Sequence, residues 1–185
     1  MRTFIAIDLS ADIKEKISDL IRRLKKLEPR NIGWVREHGM HLTLKFLGEI
    51  DDAQAEQVKA LMRVVCAAKS FELTVRGTGY FPPKAKSPRV LWVGILEQPA
   101  LLDLQSRLDS GLEKLGFPRE NRPFHPHLTL GRVKSPGGLS RVLAELEKSV
   151  DFDFGAMTVK RIILMKSTLR PTGAEYAPLE EFPLP

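Results

Sequence analysis

His41-Leu42-Thr43-Leu44-Lys45-Phe46-Leu47 and, 86 residues further on, His127-Leu128-Thr129-Leu130 carry the same tetrapeptide, and two of the four histidines of the chain head its two copies. With Thr at eight of 185 positions, the chance that two of four histidines are each followed two residues on by Thr is roughly one in a hundred, so coincidence is a poor explanation. Each copy sits in an apolar run that reads as a β-strand. Residues i and i+2 of a strand point to one face, so each copy offers an imidazole and a hydroxyl side by side. Two such pairs facing one another supply two proton-transfer groups and two neutral hydrogen-bond donors, a set suited to cleaving a phosphoester.

Working outward, Thr3–Leu9 reads as a strand, and Ser10 or Asp12 can cap a helix to about Glu28 along the stripe Ile13, Ile17, Leu20, Ile21, Leu24 and Leu27, with Pro29 as its stop. The first motif strand spans about Met40–Leu47, with Leu42, Leu44 and Phe46 directed to the core and His41, Thr43 and Lys45 to the open face. Asp51 or Asp52 starts a second helix reaching about Lys69. Alternating strands at Phe71–Arg76 and Arg89–Ile95 form an antiparallel pair around a loop rich in Gly and Pro. Pro99 opens a third helix that Gly116 ends. The second motif strand follows, then a short helix with Val142, Leu143 and Leu146 inward, strands near Phe152–Lys160 and Ile162–Leu169, and a Pro-rich tail. Each motif is followed by a helix, and the two lie about half a chain apart. The expected fold is therefore α+β: one domain, residues 1–185, of two similar lobes of mainly antiparallel sheet with helices outside and the active-site cleft between them.

Hydrophobic residues make up 43% and charged residues 28%, which suits a globular chain without disordered segments. No apolar run approaches the roughly 20 residues of a membrane span, and the N-terminus lacks a signal peptide, so a cytoplasmic protein without membrane association is expected. Cys66 is the single cysteine and lies on the apolar side of a helix, which excludes an intrachain disulfide. A net charge of +6 and a pI near 9.5 favour an anionic partner. Lys84, Lys86 and Arg89, with Arg119 and Arg122, lie on segments leading toward the motifs and are candidates for steering a phosphate.

An ordinary imidazole titrates at roughly 6.5, so one histidine can take a proton from water while the other gives one to a leaving oxygen. Thr43 and Thr129 can donate to the non-bridging oxygens of a phosphodiester. A zinc site is the competing reading, because His125 and His127 share one face of an extended segment and His41 could add a third ligand. No Cys lies near the motifs, no His-Glu-x-x-His motif exists, and a metal leaves the paired threonines unexplained, so no metal is expected. His38 and His125 are assigned structural roles. Phosphate-loop and dinucleotide fingerprints are both absent from the sequence, and no cofactor is expected.

The paired motifs and their context identify a resemblance. The chain resembles the two-histidine phosphoesterases, defined by paired His-x-Thr-x motifs, and within them the bacterial and archaeal RNA 2′,3′-cyclic phosphodiesterases, also called 2′-5′ RNA ligases. The likeness runs from Arg2-Thr3-Phe4-Ile5-Ala6-Ile7 through Trp34, His41–Gly48, Pro88-Arg89-Val90-Leu91-Trp92 and Pro126–Arg132 to Leu164–Leu169 and Tyr176. It implies metal-independent opening of a terminal 2′,3′-cyclic phosphate to a 2′-phosphomonoester, with His41 as proton donor and His127 as proton acceptor. It also implies Thr43, Thr129 and Arg132 on the phosphate, and RNA ends or cyclic nucleotides as partners of a monomer. The resemblance further implies that the same site can join RNA ends in reverse through a 2′-5′ linkage. Strict alternation sets Arg132 on the face opposite His127 and Thr129, unless a bulge near Gly131 turns it round. The alternative function is a non-catalytic RNA-binding module of the same fold, with Trp34 or Phe124 stacking on bases.

Overall fold

The computed structural model describes residues 1–28, 30–84, 87–171 and 173–185, and of His38 the backbone alone. Among these residues nine strands and four α-helices follow one another: β1 (Arg2–Asp8), α1 (Ala11–Leu27), β2 (Ile32–Trp34), β3 (His41–Glu49), α2 (Asp52–Val65), β4 (Phe71–Phe81), β5 (Val90–Ile95), α3 (Pro99–Lys114), β6 (His127–Val133), α4 (Leu139–Glu147), β7 (Asp153–Val159), β8 (Arg161–Arg170) and β9 (Gly173–Pro183). Helices α2 and α3 start where local chemistry directs, whereas Ser10, at the N-cap of α1, makes no side-chain capping bond. Asp51 caps α2 reciprocally, its carboxylate accepting from the Gln54 N–H at 2.8 Å while the Asp51 N–H donates to the Gln54 side chain at 3.1 Å. Pro99 opens α3, and Gly116 follows its end at φ 89°, where glycine is at ease. The end of α1 falls at Leu27; Pro29 lies outside the described residues.

The strands form two antiparallel sheets, β3-β1-β8-β9 and β2-β6-β5-β4-β7. The α+β two-lobed architecture is thus as expected. In each sheet the motif strand is followed by the strand that precedes it in the chain across a helix, β1 beside β3 and β5 beside β6, and then by two more strands. The sheets interlock: β4 follows β3 and α2 but joins the other sheet, and β8 and β9 return to the first. Outside the sheets, α1 lies beside α4 and against β7, while α2 lies beside α3, which packs on β3 and β4. Buried leucine, isoleucine and valine from both sheets and all four helices make one continuous core. No helix among the described residues is long and apolar enough to cross a membrane.

Helix α2, expected to about Lys69, ends at Val65, and three strands also differ from the sequence reading. The strand expected at Phe71–Arg76 continues to Phe81, because a register shift between Val75 and Thr78, with Gly77 at φ 76°, interrupts the alternation without ending the pairing. The Pro-rich tail is strand β9, paired along β8; Pro178 lies opposite Met165 at a register shift on an edge strand, where a missing N–H is tolerated. The short β2 pairs with β6 and was not visible as a strand of its own.

Lys45 departs most from its expected place. It is buried rather than on the open face, its ammonium 2.6 Å from Asp109 on α3 and 2.7 Å from the Pro118 carbonyl. Burial opposes ionisation of Asp109, but Lys45 and Arg119 outweigh it and hold the carboxyl below its ordinary value. A depressed carboxylate stabilises the fold above its unfolded-state pKa, and that contribution is lost as pH falls through the folded one. Asp109→Ala leaves Lys45 buried without a counter-charge and is expected to lower the unfolding free energy by about 3 to 5 kcal/mol. Urea unfolding checks this, and Lys45→Met with Asp109→Leu should recover more than half of the loss.

Candidate active site

Both motifs share a device that alternation alone does not reveal. In the β1–β3 pair Ala6 faces Thr43 and Ile5 faces Lys45, so Leu44 is an extra, bulged residue. In the β5–β6 pair Trp92 faces Thr129 and Leu91 faces Gly131, so Leu130 is bulged at the equivalent position. Each of these leucines is buried in the core and reverses the facing that follows it, in β3 as far as a second register shift at Leu47. His41, Thr43 and Phe46 consequently share the face of Asp8, Ala6 and Phe4, while His127, Thr129 and Arg132 share that of Gly94, Trp92 and Val90. This resolves the objection to Arg132, which is exposed on the motif face. It also corrects Phe46, assigned to the core by alternation but 58% exposed beside the motif. The two motif strands themselves come into contact where the sheets meet.

His127 is oriented by its own neighbourhood. Its Nδ1 lies 2.7 Å from the His125 carbonyl. A carbonyl only accepts, so Nδ1 carries the hydrogen, and neutral His127 presents an unprotonated Nε2. The Phe81 ring meets His127 edge-on at 5.1 Å and leans on Trp92 at 5.3 Å. Trp92 in turn lies across Gly79, where a Cβ would come within 2.3 Å of the indole. Only glycine allows that approach.

His41 stands in a drier setting. Its ring stacks on Phe4 at 4.7 Å and meets Tyr176 edge-on at 5.0 Å. Tyr176 arrives on β9, the strand missed by the sequence reading, and packs on Phe4 at 5.4 Å. Burial pushes the His41 pKa from 6.5 down to about 4; the Asp8 carboxylate opposes this, and Lys14, paired with Asp8 at 2.7 Å, reinforces it. Thr43 and Thr129 are half-buried, and their hydroxyls make no hydrogen bond among the described residues.

Other candidates lie elsewhere. The His125 ring sits 3.7 Å from Glu97, and the side chain of His38 lies outside what is described. Arg119 is engaged by Asp109 at 3.3 Å, which removes it from phosphate steering; Lys86 lies outside the described residues. The Trp34 indole donates to the Glu28 carbonyl at 2.9 Å, and Phe124 packs against the core. Burial raises the Cys66 thiol to about 12, which suits a core residue rather than a nucleophile. Among the described residues no three His, Cys, Asp or Glu side chains group as metal ligands.

Two sheets that each present a bulged His-x-Thr strand define a two-histidine phosphoesterase fold. The chain matches the family model of the 2′-5′ RNA ligase superfamily over residues 12–170 and belongs to that family. It is 40% identical over 185 residues to the RNA 2′,3′-cyclic phosphodiesterase of Thermotoga maritima, covering 98% of this chain and 94% of that one. To the RNA 2′,3′-cyclic phosphodiesterase of Methanocaldococcus jannaschii it is 35% identical over 182 residues, covering 98% of this chain and all of the other. Among solved structures it is similar to E. coli LigT complexed with 3′-AMP, with a TM-score of 0.78 at 31% identity over 99% of this chain and 97% of LigT.

The His41 environment makes a measurable prediction. In an NMR titration its ring should change protonation near pH 4; Asp8→Asn should move the midpoint lower still, and Lys14→Met higher. The unfolded chain takes up this proton nearer 6.5, so the His41 contribution to stability should be full above pH 6.5 and fall as pH drops toward 4. A midpoint at or above 6.5 would contradict the dry setting.

Proposed function

We propose that this protein hydrolyses terminal 2′,3′-cyclic phosphates of RNA or nucleotides to 2′-phosphomonoesters by two-histidine acid–base catalysis without a metal or cofactor. The observation that carries the reading is the matched pair of motif strands: His and Thr share one face of each of two contacting strands, and the bulge after Thr129 turns Arg132 onto the same face as its motif. The names of the relatives in Thermotoga and Methanocaldococcus support the substrate class, and the 3′-AMP complex of LigT supports a nucleotide in this fold.

In the proposed reaction the Nε2 of His127, the accepting nitrogen of the neutral ring whose Nδ1 donates to the His125 carbonyl, takes a proton from water as its oxygen attacks phosphorus. The P–O3′ bond breaks, and His41 protonates the departing 3′ oxygen. His41 is neutral in the free protein at pH 7, so its donor role requires proton uptake with the substrate, whose negative charge beside a buried imidazole favours the imidazolium. Thr43 and Thr129 donate to the non-bridging oxygens, and Arg132 balances their charge. Phe46 offers an aromatic face to the terminal base. An RNA 5′-hydroxyl in place of water would yield a 2′-5′ linkage by the same steps.

His41→Ala and His127→Ala should each lower hydrolysis by about two to four orders of magnitude with the fold intact. A substrate with sulfur in place of the 3′ oxygen separates their roles, since a thiolate departs without a proton. His41→Ala should regain most of its rate on it and His127→Ala should not; the opposite pattern exchanges donor and acceptor. RNA affinity with no hydrolysis from about pH 5 to about pH 9 would favour the binding module instead.

A further inference from the structure

A substrate that ends in a cyclic phosphate has all the rest of its strand on the 5′ side, so the RNA must leave the cleft in one direction. The pseudo-symmetry of the lobes provides two equivalent exits, and their charges differ. Past the first motif the chain reads Glu49, Asp51 and Asp52; past the second it reads Arg132 and Lys134. Arg132 and Lys134 line a depression of about 600 Å³ together with Arg89, Val90, Val133 and Ser135, and no carboxylate lines it. Arg89, Arg132 and Lys134 form no salt bridge among the described residues, whereas Lys14, Arg63, Arg119 and Arg161 are each held by an acid.

The trough has a fixed frame. The Val133 N–H donates to the Arg89 carbonyl at 2.9 Å, which ties its two walls together. The Lys134 N–H donates to the Asn31 carbonyl at 2.7 Å, and the Ser135 hydroxyl donates to the Asn31 side chain at 2.7 Å. Asn31 is itself fixed by Glu28, whose buried carboxylate accepts the N–H groups of Arg30 and Asn31 at 2.9 Å. The Lys134 stem passes over Gly33, where a Cβ would lie 3.3 Å from it. Lys134 also borders a second depression of about 420 Å³, lined by Arg22, Lys25 and Arg36 against a single carboxylate, Glu37. Lys134 follows directly on the end of β6, two residues past Arg132.

We infer that the trough of Arg89 and Lys134 at the end of β6 seats the phosphodiesters on the 5′ side of the terminal nucleotide, making an RNA end a better substrate than a cyclic mononucleotide. The inference rests on the hydrolytic reading of the His41–His127 site and adds a strand-binding site outside it. A positively charged groove that tracks a single-stranded backbone is an established way to hold RNA without reading its sequence.

The test compares uridine 2′,3′-cyclic phosphate with a tetranucleotide ending in the same group, for the wild type, for Arg89→Gln with Lys134→Gln, and for a control of equal charge loss, Lys69→Gln with Lys114→Gln. All four positions are exposed, and circular dichroism verifies folding. The trough pair should lower kcat/KM for the tetranucleotide about tenfold and flatten its logarithmic salt dependence by about 0.7 per lost contact, with the mononucleotide unchanged. The control pair should change neither substrate by more than about twofold. Equal behaviour of the two pairs, or a parallel fall on both substrates, overturns the trough. A wild type that hydrolyses neither substrate overturns the active-site reading instead. Anisotropy of a labelled tetranucleotide 2′-phosphate then decides the trough: affinity weakened only by the trough pair supports it, and affinity unchanged overturns it.

Discussion

The extra residue that follows the threonine of each motif strand governs the site. A β-strand alternates its faces without exception until a bulge inserts a residue without a partner, and here the insertion falls directly after the threonine in both lobes. The bulged leucines, Leu44 and Leu130, are anchored in the core, so neither strand can slip register without expelling a buried leucine. Before the bulge, His and Thr share a face; after it, Phe46 and Arg132 come round to that same face, while Lys45 is turned inward toward Asp109. The facing of Phe46, that of Arg132 and one buried ion pair thus follow from one local irregularity, used twice.

The two lobes repeat a geometry and fill it differently. At the position after the bulge that returns to the motif face, one lobe offers an exposed aromatic ring and the other an exposed guanidinium. His41 is packed between Phe4 and Tyr176 and loses its charge to burial, whereas His127 is held through a hydrogen bond to a carbonyl. An asymmetric substrate needs such differences, since a perfectly two-fold cleft would accept a phosphodiester in either sense. In the proposed reaction they assign base, phosphate and strand to separate sides.

Support for this arrangement lies behind the sheets. The Lys45–Asp109 pair ties the bulged part of β3 to α3, a helix whose flanking strands belong to the other sheet. Strands β4, β8 and β9 likewise cross between lobes. Two interlocked lobes resist separation because it would expose a shared core. Rigid positioning of the opposing groups is what acid–base chemistry requires.

The sequence by itself determined the helices, most strands, the two-lobed α+β plan and the pairing of His41 with Thr43 and of His127 with Thr129, because periodicity and motif spacing are local properties of the chain. It also contained Phe46, which alternation assigned to the wrong face, and Arg132, whose facing hung on a bulge near Gly131, since alternation carries no record of a bulge until the partner strand is known. Tyr176 was legible only as part of a resemblance; a proline-interrupted edge strand has no clear period, and only pairing with β8 brings it to His41. Lys45 shows the reverse case, a charge that reads as solvated until Asp109, 64 residues away, provides its counter-ion. What tertiary structure alone decided was register, and with it which side of each strand faces the cleft, because register is a relation between strands that neither strand encodes by itself.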